Sequence, residues 1–207
     1  MLTTELIAAQ EPSRRLMIVL HGLGDSMEGY RWLPEMLRLP WLNYLLVNAP
    51  DDYYGGFSWY EYDGEAGPGV RRSQELLFRV LEEAEKQGFA PESTALFGFS
   101  QGCLMTLETG LRYPKKLAGL IGISGYLHDP AQLLRELGPG AKELPILVTH
   151  GTGDPLIPIE KVRAQMELLK GAGLRLEWSE FRKEHTIAGE EELRVIRDFL
   201  GKIFGKA

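Results

Sequence analysis

The chain has 207 residues, 44% of them hydrophobic and 25% charged, with a net charge of -6 at pH 7. That length predicts one domain over residues 1–207 with a full core. The acidic balance argues against non-specific nucleic-acid binding and against an electrostatic hold on acidic lipid. No apolar run is long enough to span a bilayer, so stable membrane insertion is not expected. Cys103 is the single cysteine and rules out a disulfide within the chain. The start, Met1-Leu2-Thr3-Thr4-Glu5, has no basic segment leading into a long apolar one. Together these predict a cytoplasmic protein without a signal peptide.

In chain order, Leu16–Leu20, Tyr44–Val47, Ala95–Phe97, Leu120–Ile123 and Ile146–Thr149 are short and apolar throughout. Strands covered on both faces of a parallel sheet look like this. Leu174–Phe181 alternates instead and is expected nearer an edge. Val70–Gln87 has helical spacing at Leu76, Leu77, Val80 and Leu81, with Gly88 as a stop. Cys103–Thr109, Glu160–Lys170 and Glu190–Ile203 read as further helices. Alternating strand and helix predict an α/β fold, a mostly parallel, doubly wound sheet flanked by helices. Ligands bind such sheets beyond the carboxyl ends of the strands, and the motifs below fall at such ends.

Gly98-Phe99-Ser100-Gln101-Gly102 lies between a short apolar strand and a helix. A G-x-S-x-G at that junction is the nucleophile elbow of an α/β-hydrolase. The alternative is a glycine-rich turn with a capping serine. A serine hydroxyl is a weak nucleophile at neutral pH and needs a base, which in turn needs an orienting acid. In this fold the chain order is serine, acid, histidine. Asp154 follows the strand ending at Thr149, and of His21, His128, His150 and His185 only His185 lies beyond it. Ser100, Asp154 and His185 are therefore the candidate triad. Glu160 and Glu184 rank below Asp154 as acids.

The chemistry also needs two donors aimed at the developing oxyanion. The expected ones are the backbone N–H of Gln101 and, from the glycine-containing loop His21-Gly22-Leu23-Gly24-Asp25, that of Leu23. His21 is expected to shape this loop. Tyr53, Tyr54, Phe57, Trp59, Tyr60 and Tyr62 crowd one short stretch after a strand end. They either wall an acyl pocket, with Phe57, Trp59 and Tyr60 as its binding residues, or pack as a self-contained Ω-loop. Leu156 and Ile157 either form the opposite wall or belong to the core.

The five motifs recur in one order. They are His21-Gly22-Leu23-Gly24-Asp25, Asn48-Ala49-Pro50, Gly98-Phe99-Ser100-Gln101-Gly102, His150-Gly151 with Asp154-Pro155 and Ile157-Pro158, and His185. From about Leu16 to Leu200 the chain thereby resembles the phospholipase/carboxylesterase family, which includes the acyl-protein thioesterases. The resemblance implies hydrolysis of a small-molecule acyl ester or thioester without a cofactor. It implies the triad Ser100, Asp154 and His185, and oxyanion amides at Leu23 and Gln101. The expected activity is that of a serine carboxylesterase on short- to medium-chain esters through an acyl-enzyme. An acyl-protein or lysophospholipid (thio)esterase and a non-catalytic binding protein of the same fold are the alternatives. No metal is expected, since the chain has no H-E-x-x-H and no Cys/His cluster. A homodimer is left open.

The chain departs from the family's pattern at three places. Cys103 stands where glycine is usual, so a larger side chain must fit beside the elbow. Glu184 precedes His185 where glycine is common, and a carboxylate there would favour the imidazolium. Trp59-Tyr60-Glu61 replaces a W-[FY]-D signature.

Overall fold

Five apolar runs, one alternating run near the C-terminus and one amphipathic N-terminal strand build the main sheet. A computed structural model of the chain describes residues 1–206. The strands are β1 (Thr4–Ile7), β2 (Arg15–Leu20), β3 (Leu42–Val47), a hairpin of β4 (Asp51–Tyr53) and β5 (Gly56–Ser58), β6 (Thr94–Phe99), β7 (Gly119–Ile123), β8 (Ile146–Gly151) and β9 (Leu176–Phe181). The helices are α1 (Leu33–Leu37), α2 (Ala66–Lys86), α3 (Gln101–Gly110), α4 (Pro130–Arg135), α5 (Ile159–Gly171) and α6 (Gly189–Phe204). The seven-stranded sheet runs β1-β3-β2-β6-β7-β8-β9. All pairings in it are parallel except that of β1 with β3.

The strand order explains where a site can form. From β2 the chain moves outward to β3, then returns to lay β6 on the other side of β2. Strand order therefore reverses between β2 and β6, and the crevice at their carboxyl ends is open to a ligand. Alternate residues of β2 face opposite cores. Leu16, Ile18 and Leu20 join Leu77, Leu104 and Val162 on one side. Met17 and Val19 join Leu33, Leu37, Ile196 and Phe199 on the other. Helices α2, α3 and α5 thus cover one face, and α1 and α6 the other.

The edge position expected for Leu174–Phe181 is that of β9, which starts at Leu176 and alternates between half-buried and exposed residues. Helix α2 begins one turn earlier than its spacing predicts and ends at Lys86, two residues before Gly88, whose φ is 93°. The aromatic stretch after β3 contains the β4–β5 hairpin, not an irregular loop. Its tip, Tyr54-Gly55, has positive φ at both residues, the geometry that matches the twist of two antiparallel strands.

Cys103 is fully buried in α3. A Cβ at Gly122 would lie 2.6 Å from its Sγ, and one at Gly125 would overlap its Cβ. The extra volume therefore occupies space that two glycines leave empty. Burial pushes the thiol up to about 12. A thiol so placed has almost no thiolate at neutral pH. In the native protein Cys103 should react with a disulfide reagent orders of magnitude more slowly than in urea. Equal rates in the two states would show that α3 opens readily.

Candidate active site

Strand β6 ends at Phe99 and α3 begins at Gln101, so Ser100 alone makes the turn. Its φ of 55° and ψ of -117° lie where a side chain is rarely found. Such a conformation costs about 1–3 kcal/mol and persists only where its surroundings over-determine it. Here the Ser100 N–H donates to the Ile123 carbonyl at 2.9 Å. A Cβ at Gly98 would overlap the Gly102 carbonyl, and one at Gly102 would overlap the Leu20 carbonyl. Only glycine at both places lets the turn close and seat itself on the end of β2.

The loop after β8 brings Asp154 beside the turn, and the loop after β9 brings His185 between them. His185 Nδ1 donates to Asp154 Oδ2 at 2.7 Å, and the Ser100 hydroxyl donates to His185 Nε2 at 2.9 Å. The Asp154 carboxylate is buried, and its Oδ1 accepts the N–H groups of Leu156 and Ile157, each at 2.9 Å. Burial pushes this carboxyl up, but the Ile157 N–H, His185 and the Leu156 N–H together hold it below its ordinary value. It is therefore ionised at neutral pH. Glu184 and Glu160 are exposed and take no part in this chain of bonds. Among the described residues Glu184 makes no ion pair with His185.

Leu23 and Gln101 line the same cleft as Ser100 and His185. The N–H of Gln101 is the first of α3, where no helical partner exists. Neither it nor the Leu23 N–H has a hydrogen-bond partner among the described residues. The loop that carries Leu23 is held from below. Gly24 N–H donates to the Phe57 carbonyl and Phe57 N–H to the Asp25 carbonyl, each at 2.9 Å, so the hairpin pins it. Buried His21 accepts the Ala49 N–H on Nε2 at 3.0 Å, so its proton sits on Nδ1, which donates to the Gly22 carbonyl at 2.6 Å. Burial lowers the affinity of this imidazole for a second proton.

The structure redistributes the expected substrate-binding residues. Tyr60, Leu156 and Ile157 line the cleft, which has a volume of about 480 Å³. Phe57 and Trp59 do not. Trp59 is fully buried, and its indole N–H donates to the His21 carbonyl at 2.9 Å. The Gln101 side chain accepts the Trp59 N–H at 2.9 Å and donates to the Tyr60 carbonyl at 3.0 Å. Trp59 thus supports the loop that carries Leu23 from the core and has no surface to offer an acyl chain. Tyr62 of the aromatic stretch also lines it, and three further walls were missed in the sequence: Phe99, Tyr126 and Lys161. Tyr126 is held by the Tyr60 hydroxyl at 3.2 Å, and Lys161 lies over its ring at 5.2 Å. A pairing 66 residues apart leaves no local sequence signal.

Behind the imidazole lies a buried ion pair that the motifs also do not reveal. Lys183 Nζ donates to the two oxygens of Glu192 at 2.6 and 2.8 Å. Glu192 also accepts the Thr149 hydroxyl and the Ala188 N–H. One carboxylate on α6 so ties the end of β8 to both sides of the His185 loop. Burial lowers the Lys183 ammonium from its ordinary value, against the opposing pull of Glu192. Among the described residues no group of three or more His, Cys, Asp or Glu side chains is placed to hold a metal ion. No helix among them is long and apolar enough to cross a membrane.

A mostly parallel sheet flanked by helices, with a serine at the turn after a central strand, defines a serine hydrolase of the α/β-hydrolase fold. The sequence profile of the phospholipase/carboxylesterase family matches residues 2–204, and the chain belongs to that family. It is a carboxylic ester hydrolase of the carboxylesterase/thioesterase kind. It is 33% identical over 155 residues to acyl-protein thioesterase 1 of Schizosaccharomyces pombe, covering 69% of each chain. The crystal structure of esterase PE8 superimposes with a TM-score of 0.88 at 27% identity, over 98% of this chain and 99% of that one. The Bacillus cereus carboxylesterase shares the fold, with a TM-score of 0.84 at 18% identity, over 99% of this chain and 95% of that one.

The corrected placement of Trp59 changes what its removal should do. Trp59→Ala should destabilise the protein by about 3–5 kcal/mol, the usual cost of emptying a buried aromatic site. It should depress all esters alike. Leu156→Ala, at a residue 67% exposed on the cleft wall, should instead shift acyl-length preference with little change in melting temperature. Graded nitrophenyl esters and thermal melts separate the two. A chain-length effect from Trp59→Ala at unchanged melting temperature would contradict the core role.

Proposed function

We propose that this chain, acting as one domain, is a serine carboxylesterase that cleaves short- to medium-chain acyl esters by way of an acyl-enzyme. The observation that carries this is the unbroken relay from Ser100 through His185 to Asp154, opening beside the Leu23 and Gln101 amides. In the first step Ser100 Oγ bonds to the carbonyl carbon as its proton passes to His185 Nε2. The carbonyl oxygen takes up the negative charge against the two N–H groups. The bond to the alcohol oxygen then breaks, and His185 returns the proton to that oxygen. Water repeats the sequence on the acyl-enzyme and releases the acid. Asp154, already ionised, stabilises the imidazolium and holds Nδ1 as the donor.

The apolar walls at Leu156, Ile157 and Tyr126 favour an acyl chain over a charged group. The cleft volume lies in the range of small-molecule sites. The same relay would accept a thioester. The name of the Schizosaccharomyces pombe relative favours that as the second reading.

Ser100→Ala should abolish labelling by a fluorophosphonate and lower kcat by several orders of magnitude. His185→Ala should fall as far, and the double variant should be little worse than either, because the groups act as a unit. Near-normal esterase activity in Ser100→Ala would end this reading.

Asp154→Asn should lower kcat by about 10⁴ with little change in KM. In the parent enzyme kcat/KM should fall on the acid side with the slope of one proton. The imidazole must be neutral to accept from Ser100, and the depressed Asp154 carboxyl adds no second step in that range. A two-proton slope would mean that Asp154 titrates there too.

A further inference from the structure

Two cavities meet at the His185 imidazole, and they differ in what the reaction needs. One is the cleft already described, with Ser100 and both amide donors on its walls. The other, about 570 Å³, shares Asp25, Phe99 and His185 with the first but is lined by neither Ser100 nor Leu23 nor Gln101. Its further walls are mostly apolar: Trp32 and Met36 at α1, and Ile187 and Leu193 around the start of α6, with Tyr30 and Thr186 adding the only hydroxyl-bearing side chains among the described residues. We propose that this second cavity is the subsite for the alcohol or thiol half of the ester, and that it selects uncharged apolar or aromatic leaving groups. The proposal rests on the relay described above.

The chemistry assigns the two cavities. The tetrahedral carbon carries Ser100 Oγ, the oxyanion, the acyl chain and the leaving oxygen. The oxyanion must face the Leu23 and Gln101 amides. The leaving oxygen must lie near His185 Nε2, which supplies its proton as the C–O or C–S bond breaks. The acyl chain therefore occupies the cleft that holds the amides. The substituent on the leaving atom passes the imidazole toward the cavity beyond it. The Phe99 ring, 4.9 Å from the imidazole between centroids, stands at the divide.

The second cavity is built as a firm wall. Trp32 and Met36 each keep 37% of their surface exposed, which sets two large apolar side chains side by side at the edge of the site. The Trp32 indole N–H donates to the Gly29 carbonyl at 2.7 Å, and its ring stacks on Tyr30 at 6.4 Å. Arg197 of α6 donates to the Met36 carbonyl at 3.1 Å and so sets the spacing of the two helices. Asp25 is the one carboxylate on these walls among the described residues. It disfavours an anionic leaving group.

The test holds the acyl group constant and varies the alcohol: methyl, butyl, benzyl and 4-carboxybenzyl acetate. Fluorophosphonate labelling of the parent enzyme is read first. If labelling fails, the relay fails and this proposal falls with it. With labelling intact, kcat/KM should rise from methyl to benzyl acetate and drop by about tenfold or more for the carboxylated ester, the scale on which a shaped pocket discriminates. A flat alcohol series would overturn the subsite while leaving the relay standing. Trp32→Ala and, separately, Met36→Ala should lower the benzyl-to-methyl ratio by about tenfold. Neither should alter the ratio among methyl esters of graded acids. If these variants move the acyl-length ratio instead, or depress every ester by one factor, the assignment of the second cavity is wrong.

Discussion

The turn at Ser100 stands because nothing larger than hydrogen separates it from the end of β2. The close approach of Gly102 to the Leu20 and His21 carbonyls presses the elbow onto the strand whose continuation carries Leu23. That contact sets the distance between two amides contributed by segments about 80 residues apart. It also places the start of α3, with its unpaired N–H groups, at the point where strand order reverses. The strained backbone of Ser100 is tolerable only because this seat and the bond to Ile123 leave it no other conformation.

Two buried polar networks extend that constraint outward. Under the loop that carries Leu23, Gln101 bonds the Trp59 and Tyr60 backbone, Trp59 bonds the His21 carbonyl, and His21 bonds the backbone on both of its nitrogens. Behind the imidazole, Glu192 collects Lys183, Thr149 and Ala188. Buried polar groups that find all their partners rigidify and specify one arrangement, whereas a half-satisfied set is costly. A buried ion pair is weak evidence for stability as such, because desolvation offsets much of the attraction. Its effect here is geometric: it fixes both ends of a short loop whose single histidine must reach Ser100 and Asp154 at once.

What the sequence reveals depends on whether a signal is local. The elbow, the loop after β2 and the two loops after β8 and β9 each sit at the end of an apolar run, so their order along the chain already places them on one edge of the sheet. The short helices α1 and α4 and the half-exposed β1 carry too few periodic residues to stand out. The aromatic stretch misleads for a different reason. Its composition says that large rings pack there, but not which ring faces which way. Trp59 turns inward because its indole N–H finds the His21 carbonyl, a partner 38 residues away. Tyr126 and Lys161 reach the cleft from segments with no motif at all.

Cys103 shows how one departure from the family's pattern is absorbed without moving the site. Cys103 sits in the first turn of α3, where displacement would shift the Gln101 amide. It does not displace the helix, because the facing positions in β7 and just beyond it are Gly122 and Gly125. The thiol fills the volume that side chains there would occupy, and the packed interior keeps its density. Either glycine enlarged by one methyl would meet the sulfur or its Cβ before any other atom. The position of the Gln101 amide therefore depends on two residues outside the cleft, one of which, Gly125, also lies against the Ser100 carbonyl, and the geometry of the site is set as much by what these glycines omit as by what the motif residues supply.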